Sequence, residues 1–354
     1  MNKQEYLKFL NKIKNVNYPK QDHWDIFDSF YYEKVSLFEN MKNFRINGIS
    51  NMLETGLPSQ ERQDLIKHNK CYNTVYEKSE IVEIESRFEE LVLMMGANID
   101  KYFCNSLVGN PRKHEYTHNN KVYFLNFDDL YHAYAAWQID RYNDKTPASI
   151  LEIGGGYGNL CNKLKRIYPG TKYFIVDIPE VLLVQHYYLT KSSNNLKILN
   201  LVGEKTNITN QLYTDYDVIL VPFYLLESVS LRPEIIINCR SFGEMPVDTL
   251  TDYFNWIQNK ISRNGLFYTV NRYVFTKSKD RNKIRDYPFD KQWLIEMSKP
   301  QWLQTHLHEF LLKRTDNESN SLELLLQSFP ISTPPPGPIM EKILPQKEWI
   351  KNQM

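Results

Sequence analysis

Residues 151–160 read LEIGGGYGNL and place four glycines within five positions, in a chain that has 13 glycines among its 354 residues. The run follows a β-rich stretch, Ser149–Ile153, and precedes a stretch with helical spacing, Asn159–Ile167. Glycine can adopt a positive φ and, having no Cβ, lets a ligand approach the backbone. The first turn of the following helix offers unpaired N–H groups and a positive dipole end. The segment therefore predicts a strand, a turn and a helix that together bind a ligand with an anionic group.

From Ser149 onward, short β-rich runs alternate with stretches of helical spacing, which is typical of parallel strands joined by helices. The predicted strands are Ser149–Ile153, Lys172–Asp177, Asp217–Pro222, Glu234–Asn238 and Gly265–Val270, and the predicted helices are Asn159–Ile167, Glu180–Thr190 and Val247–Ile261. The run Leu196–Leu201 predicts a further short strand without an assigned place. We therefore predict an α/β fold with a doubly wound, mostly parallel, Rossmann-like sheet. Ligands bind such sheets beyond the carboxyl ends of the strands.

The first third of the chain differs from this pattern. Tyr6, Phe9, Leu10 and Ile13 recur at helical spacing, and residues 89–103 do so again. The stretch Phe127–Arg141 predicts an amphipathic helix with an acidic first turn. We predict three parts: a mainly helical N-terminal region that caps the acceptor (residues 1–125), a Rossmann-like domain (126–330) and an extended tail (331–354). The tail contains STPPPGP, a polyproline-like connector that suits contact with a neighbouring subunit in a homo-oligomer.

Composition excludes several partners and locations. The 43 Lys and Arg residues balance 42 Asp and Glu residues, so the surface has no net field to hold a nucleic acid. The first residues lack the apolar core of a signal peptide, and the longest apolar run, Val218–Leu226, is too short to span a membrane. The four cysteines show no C-x-x-C spacing, which favours reduced thiols. We therefore expect a cytoplasmic protein without a membrane span.

The phase of the glycines distinguishes between two cofactor classes. A nicotinamide site has the pattern G-x-G-x-x-G, but counting from Gly154 the last position is Asn159, and a frame that starts at Gly155 has Tyr157 as its second glycine position. The acid two residues before Gly154, Glu152, suits the ammonium group of S-adenosylmethionine. Asp177 ends the second strand, where a carboxylate can accept both ribose hydroxyls. The predicted donor-binding residues are Glu152, Gly154, Gly155, Gly156, Tyr157, Asp177, Ile178, Pro222 and Asn238.

Several segments resemble one known family. They are LEIGGGYGNL, YFIVDIPEVLLVQHYYL (Tyr173–Leu189), IINCRSFGEM (Ile236–Met245) and FYTVNR (Phe267–Arg272), to which the VGNP turn at residues 108–111 can be added. Together they are similar to the sugar O-methyltransferases encoded in bacterial surface-polysaccharide clusters. The resemblance implies a class I methyltransferase fold, S-adenosylmethionine as donor, and a sugar hydroxyl as acceptor, on a nucleotide-linked or glycan sugar used for capsule or lipopolysaccharide.

Two alternatives to this function stay open. The DIPE piece, Asp177–Glu180, also occurs in similar form in plant-type small-molecule O-methyltransferases, which would allow an acceptor that is not a sugar. The SFGEM piece, Ser241–Met245, discriminates better between the two. The second alternative is a methyltransferase-like module without catalytic activity that serves in binding or assembly.

Methyl transfer from a sulfonium needs positioning and a base within about 2.6–3.2 Å of the acceptor hydroxyl. Glu244, just past the fourth strand, is the first candidate for the base or for an acceptor-orienting group, although it could instead be a first-turn acid of the next helix. Arg240 and Ser241 precede it on the same loop and could hold acceptor hydroxyls or phosphate, and Asn271 and Arg272 end the fifth strand. The catalytic candidates are Glu244, His306, Ser241 and Arg240, and the acceptor-binding candidates are Arg240, Asn271 and Arg272.

His306 and His308 alternate in HLHEFLL, which predicts a late strand with both side chains on one face. Either histidine could be the base or an ordinary structural residue. Asp128 and Asp129 are the adjacent acidic pair near the start of the core domain, and we interpret them as N-terminal acids of a helix. We therefore predict no metal. The segment Lys277–Lys291 has six basic residues and suits either a lid that binds a diphosphate or a solvated loop.

Overall fold

A computed structural model describes residues 1–16, 35–46, 76–104, 106–193, 195–204, 214–275 and 282–329, and the backbone of residues 340–341. The chain divides into two compact units. The first comprises Met1–Gln138 and Ala148–Leu231, and the second comprises Ile139–Pro147 and Arg232–Met354. The division into residues 1–125, 126–330 and 331–354 stays a prediction. The STPPPGP connector and residues 276–281 of the basic segment lie outside the described residues.

Eight helices and eleven strands are described. The helices are α1 (Lys3–Asn15), α2 (Lys78–Met95), α3 (Ile99–Tyr102), α4 (Phe127–Arg141), α5 (Asn159–Ile167), α6 (Pro179–Ser192), α7 (Val247–Lys260) and α8 (Ser321–Gln327). The strands are β1 (His114–His118), β2 (Lys121–Leu125), β3 (Ser149–Ile153), β4 (Lys172–Asp177), β5 (Ile198–Asn200), β6 (Val218–Pro222), β7 (Ile235–Cys239), β8 (Leu266–Arg272), β9 (Trp293–Pro300), β10 (Leu307–Arg314) and β11 (Met340–Glu341). The predicted bounds of β3, β4, α4 and α5 are confirmed residue for residue, and those of the other predicted elements are confirmed to within two residues at each end, apart from the first third and the late strand.

In the first unit, four strands pair in the order β3, β4, β6, β5, and every pairing is parallel. All five residues of β3 and of β6 are buried, as expected for parallel strands covered on both faces. The run Leu196–Leu201 contributes β5, beside β6. Asp177 pairs with Pro222, and Ile153 pairs with Val176. The carboxyl ends of three neighbouring strands therefore meet at one edge, as predicted.

In the second unit, the strand order is β7, β8, β10, β9, β11. Strands β7 and β8 are parallel, whereas β10, β9 and β11 join in antiparallel fashion. Because β10 runs opposite to β8, its first residue, Leu307, pairs with Arg272 at the end of β8. The prediction that His306 lies in this strand is wrong. The N–H of Leu307 donates to the carbonyl of Gln304 (2.8 Å), and the turn so closed places His306 before the strand.

The N-terminal helix α1 packs on α6 within the first unit. Asn2 and Glu5 form a reciprocal capping box at its start (3.0 and 2.8 Å). Tyr6, Leu10 and Ile13 are buried, which confirms the helical spacing of the sequence, and the ring of Phe9 contacts His186 edge-on at 5.0 Å. No helix in the described parts of the chain combines the length and the apolar character needed to cross a bilayer.

Candidate active site

The glycine-rich loop between β3 and α5 has the backbone shape that the sequence predicts. Gly154, Gly156 and Gly158 have φ of 74°, 55° and 93°, all in the left-handed region. The N–H of Gly154 donates to the carbonyl of Val176 (2.9 Å), which ties the loop to β4. No side chain caps the first turn of α5. Its N–H groups are thus not used by a capping residue, as an anion site at a helix start requires.

Two of these glycines differ in what surrounds them. A Cβ on Gly155 would lie 2.6 Å from Ile175 Cγ2 and 3.3 Å from the carboxyl carbon of Glu152, so no side chain fits there. A Cβ on Gly156 would meet nothing within 4 Å. The loop is thus packed against the protein at Gly155 and open at Gly156, which suits contact between a ligand and bare backbone.

The two acids predicted for donor binding lie in different environments. Glu152 is 2% exposed, and its Oε2 accepts a hydrogen bond from the hydroxyl of Tyr173 (2.8 Å). Burial raises the pKa of Glu152 to about 7, although the Tyr173 hydrogen bond opposes this shift. Asp177 is only partly buried, and burial also raises its pKa to about 7 against the effect of its hydrogen bonds. Both carboxyl groups therefore change charge near neutral pH.

Gln185, a residue that the sequence analysis did not single out, connects the loop to Asp177. Its Nε2 donates to the carbonyl of Gly156 (2.9 Å) and to Oδ2 of Asp177 (2.8 Å). The other carboxylate oxygen of Asp177 accepts from the N–H of Ile178 (2.9 Å). The sequence signal that could have identified Gln185 is a glutamine within the apolar run LLVQ of α6. In the structure this glutamine is fully buried, and buried polar groups are normally hydrogen-bonded. Gln185 therefore orients the Asp177 carboxylate.

The side chain of Tyr157 faces protein and is 3% exposed. Its ring lies 4.9 Å from that of Tyr188 and 5.6 Å from that of Phe44, and the guanidinium of Arg45 stacks on it at 4.9 Å. A ligand could therefore contact Tyr157 only through its backbone. The sequence prediction treated it as an ordinary member of the loop, because Tyr188, Phe44 and Arg45 are more than 30 positions away in the chain.

In the second unit, Asn271 is 0% exposed, and its side chain holds a loop of the protein. Its role in acceptor binding stays a prediction. Its amide N–H groups donate to Asn238 Oδ1 and Thr269 Oγ1 (both 2.9 Å), and its Oδ1 accepts from the N–H of Gly243 (3.4 Å). Asn238 is also 0% exposed and donates to Ser241 Oγ (2.5 Å), which leaves no surface for the donor contact predicted for it. The two asparagines instead position the loop after β7.

Glu244 ends a short 3-10 turn, Phe242–Glu244, and is partly exposed. Asn282 donates to the carbonyls of Phe242 (3.4 Å) and Gly243 (3.2 Å) and so holds this turn from its other side. Helix α7 begins at Val247, after the turn, and therefore Glu244 is not a first-turn acid of that helix. The alternative interpretation of Glu244 as a helix acid is wrong.

Three basic side chains are brought together at the edge where β7 and β8 end and β10 begins. Arg240 follows β7, and its N–H donates to the carbonyl of Val270 (2.7 Å) in a left-handed conformation with φ of 72°. Arg272 ends β8, and His306 immediately precedes its strand partner Leu307. Burial lowers the pKa of His306, and the charges of Arg272 and Arg240 lower it further. His306 is thus a neutral imidazole at neutral pH, which is the form that can accept a proton.

His308 differs from His306 because it is 0% exposed. Its ring nitrogens contact the hydroxyls of Tyr273 (2.7 Å) and Ser298 (2.8 Å), and burial lowers its pKa to about 3. The ring therefore serves packing and not catalysis. In the basic segment, Arg285 donates to the carbonyl of Phe329 (2.9 Å), which anchors that part of the segment to the protein.

Within the described residues, His, Cys, Asp and Glu side chains form no group of three that could hold a metal ion. Asp128 and Asp129 lie in the first turn of α4, as predicted. Both face basic side chains: Arg45 is 3.9 Å from Asp128 and 4.0 Å from Asp129, and Lys163 is 3.1 Å from Asp129. This acidic pair is therefore engaged in ion pairs.

Comparison with known proteins gives one match in sequence. Residues 113–204, which include the glycine-rich loop, Glu152, Asp177 and Gln185, match the model of the O-methyltransferase domain family. No curated protein matches the chain.

Three solved structures that are similar to this chain share 10–15% of its sequence. The pyocyanin biosynthetic protein PhzM has 15% identity over 51% of this chain and 54% of its own, with a TM-score of 0.37. The mitomycin 7-O-methyltransferase MmcR has 11% identity over 53% of this chain and 57% of its own, with a TM-score of 0.35. An O-methyltransferase family protein from Burkholderia thailandensis has 10% identity over 54% and 59%, with a TM-score of 0.35. The chain spans a little over half the length of each.

The α/β architecture and the sequence match agree with each other. The fold is the methyltransferase-like α/β fold, with a mixed and mostly parallel sheet. Residues 113–204 match the O-methyltransferase domain.

The described residues of the loop fit S-adenosylmethionine on observations independent of that match. The space at Gly156 is open, and Oε1 of the buried Gln185 has no hydrogen-bond partner among the described residues. Asp177 is partly exposed beside both. The first unit thus contains two carboxylate oxygens of Asp177 that can accept ribose hydroxyls, and a bare backbone that can contact the amino-acid end of the donor.

We predict that donor binding weakens as the pH falls. If Asp177 accepts two ribose hydroxyls, it does so best as the carboxylate, and its pKa is about 7. Below that pH the neutral form predominates, so Kd for S-adenosylhomocysteine should rise about tenfold per pH unit between pH 7 and pH 5.5. Calorimetry at fixed ionic strength measures this. Asp177→Asn is the matched control and should lose the part of the dependence that comes from Asp177, whereas the part that comes from Glu152 should stay. A wild-type Kd that stays constant from pH 7.5 to 5.5 would contradict the assignment.

Proposed function

We propose that this protein transfers the methyl group of S-adenosylmethionine to a sugar hydroxyl, on a nucleotide-linked or glycan sugar used in capsule or lipopolysaccharide assembly. The observation that carries the choice of acceptor is the cluster of Arg240, Arg272 and His306 at one edge of the second unit. Two arginines and an imidazole suit an acceptor that bears phosphate and several hydroxyls. The four segments that resemble sugar O-methyltransferases support the same acceptor class. Cytoplasmic location and self-association belong to this proposal.

On the donor side, the backbone of Gly154–Gly156 and the first turn of α5 would receive the amino-acid end of the donor. Asp177, oriented by Gln185, would accept the ribose hydroxyls. Glu152 lies beneath the loop and contributes negative charge near the ammonium group when it is ionised. When bound, the donor supplies a methyl group on a sulfonium, which needs no further activation. The chain therefore has to orient the two substrates and to accept one proton.

On the acceptor side, Arg240 and Arg272 would hold the phosphate, and Ser241 would donate or accept a hydrogen bond to a sugar hydroxyl. Two groups of the second unit can take the proton of the reacting hydroxyl. Glu244 is partly exposed on its turn, and His306 is neutral because of burial and the neighbouring arginine charges. Both stay candidates for the general base.

The acceptor is tested by incubating the protein and S-adenosylmethionine with nucleoside diphosphate sugars, the corresponding free sugars and a set of phenols. A gain of about 14 daltons identifies the methylated compound. We expect a nucleotide sugar to gain this mass and the free sugar to react more weakly, because it lacks the phosphates. Methylation of phenols alone would favour the non-sugar alternative. Donor binding without any turnover would favour a non-catalytic module.

The general base is tested by comparing Glu244→Gln with His306→Asn at saturating donor. The variant that lacks the base should lose about 10²- to 10⁴-fold in kcat, whereas donor Kd should not change, because both groups lie outside the donor loop. If His306 is the base, kcat should stay constant from pH 8 down to the ordinary histidine pKa of about 6.5, since the pKa of His306 is lowered. Unchanged kcat in both variants would remove both residues from the mechanism.

A further inference from the structure

A buried cluster of charged and polar side chains lies next to the donor loop, entirely within the first unit. We call it the Arg45 cluster, and it consists of Arg45, Asn126, Asp129, Asn159 and Lys163. Each of these side chains is at most 2% exposed. Burying ionised groups is unfavourable unless they are paired and hydrogen-bonded. Their presence here calls for a reason beyond packing.

The cluster is well connected to the helix that begins at the donor loop. Asn159, the first residue of α5, donates to Oδ1 of Asp129 (3.0 Å), and Lys163, one turn later, lies 3.1 Å from the same oxygen. Asn126 donates to Oδ2 of Asp129 (2.6 Å). One carboxylate of α4 therefore holds the first two turns of α5 through two separate contacts.

Arg45 extends this network from the N-terminal region to the loop itself. Its guanidinium donates to the carbonyl of Ser106 (3.1 Å) and to Oδ1 of Asn126 (3.1 Å). The same planar group stacks on the ring of Tyr157 at 4.9 Å, in the middle of the glycine loop. Its position is fixed along the chain as well, because its N–H donates to the carbonyl of Gly109 (3.0 Å).

Tyr157 is suited to transmit this contact. It lies between Gly156, where the loop is open, and Gly158, which precedes α5, and both neighbours have positive φ. Glycines on either side leave the loop with little conformational preference of its own. The ring of Tyr157, enclosed by Arg45, Phe44 and Tyr188, is thus the side chain through which the surrounding protein can hold the loop.

We propose that Arg45 is a positioning residue for donor binding: by stacking on Tyr157 it holds the glycine loop in the conformation that receives S-adenosylmethionine. This inference rests on the proposed function of the loop. Arg45 touches no reacting atom and acts through Tyr157. The N-terminal region would thereby contribute to the donor site, in addition to the acceptor role expected for it.

The test compares donor affinity and stability in four variants, with S-adenosylhomocysteine as the probe. Arg45→Lys keeps the positive charge that Asp129 requires but loses the planar guanidinium. This variant should bind the probe about tenfold more weakly than the wild type. Tyr157→Leu should have a similar effect. Tyr157→Phe should bind like the wild type, because the Tyr157 hydroxyl is buried without a partner among the described residues. The double variant Arg45→Lys, Tyr157→Leu should bind the probe no more weakly than either single variant, since both substitutions remove the same contact.

Arg112 provides the matched control for a purely structural role. It is also buried, donates to both carboxylate oxygens of Glu80 (3.1 and 2.5 Å) and stacks on the ring of Tyr76 at 4.1 Å, and neither partner belongs to the donor loop. Arg112→Lys should lower stability without changing probe affinity. Equal affinity in the wild type, Arg45→Lys and Tyr157→Leu would overturn the inference and leave the proposed function intact. No binding by the wild type would overturn both.

Discussion

Asp177→Asn should weaken S-adenosylmethionine binding by about 10²- to 10³-fold, which is the largest effect on donor affinity that we expect from a single substitution. The carboxylate accepts two ribose hydroxyls in the proposed site, and a hydrogen bond to a charged group contributes about 1.5–3 kcal/mol. Asparagine keeps the shape, and its amide oxygen can still accept the hydrogen bond from Nε2 of Gln185. Calorimetry with the wild type and the variant at pH 8 measures the difference.

The same substitution should stabilise the protein when no donor is bound. The folded-state pKa of Asp177 is about 7, above the unfolded value of about 3.9. A carboxyl of this kind contributes stability below its unfolded pKa and loses that contribution as the pH rises through 7. At pH 8 the ionised Asp177 is therefore unfavourable to folding, and Asp177→Asn should raise the free energy of unfolding by about 1–2 kcal/mol, with allowance for its partial exposure.

Urea unfolding of both proteins at pH 8 measures this gain, and Asp248→Asn, an exposed first-turn acid of α7, is the control. Weaker binding together with higher stability is the expected pattern of a site group kept for its ligand. A variant that binds the donor as the wild type does would contradict the role of Asp177. A variant less stable than the wild type at pH 8 would contradict its raised pKa.

Asp129→Ala should cause the largest loss of stability, about 3–5 kcal/mol, because it leaves the fully buried ammonium of Lys163 without its carboxylate. Burial raises the pKa of Asp129, but Lys163 and Arg45 outweigh burial and hold it below its ordinary value. The contribution of Asp129 is therefore present above a pH of about 3.9 and is lost only as the pH falls through the folded-state pKa.

The difference in unfolding free energy between the wild type and Asp129→Ala should accordingly stay constant from pH 5 to pH 8, in contrast to Asp177→Asn. Chemical unfolding at several pH values measures it. Lys12, whose ammonium pairs with Glu204 at 2.6 Å but is 29% exposed, offers the surface comparison, and Lys12→Ala should cost at most about 1 kcal/mol. A loss below 1 kcal/mol for Asp129→Ala would show that the cluster is not held by this carboxylate.

Local patterns in the sequence were sufficient to predict the strands of the parallel sheet. The bounds of β3 and β4 follow from the short runs SILEI and KYFIVD, whose residues are mainly apolar and strand-forming, because such runs are buried on both faces. The glycine phase and the acid at the end of β4 likewise lie within short segments. For this reason, the sequence alone places Glu152 and Asp177 at the carboxyl ends of their strands.

Residues whose role depends on distant partners could not be placed in this way. Asn271 was expected to bind the acceptor, but its side chain forms hydrogen bonds with Asn238 and Gly243, which lie 33 and 28 positions earlier in the chain. His306 was expected within a strand, but a turn at Gln304 precedes that strand. The role of Gln185 was not visible either, because it depends on contacts with Gly156 in the glycine loop and with Asp177 at the end of β4.

The sequence by itself determined the parallel α/β core, the glycine loop and the two acids beside it, because strand periodicity and turn chemistry act over a few neighbouring residues. Only the tertiary structure decided which other groups each side chain contacts. It buried the ring of Tyr157 under Arg45, engaged Asp129 with Lys163, and gathered Arg240, Arg272 and His306 at one edge. The physical reason is that burial, ion pairing and pKa depend on groups brought close from separate parts of the chain.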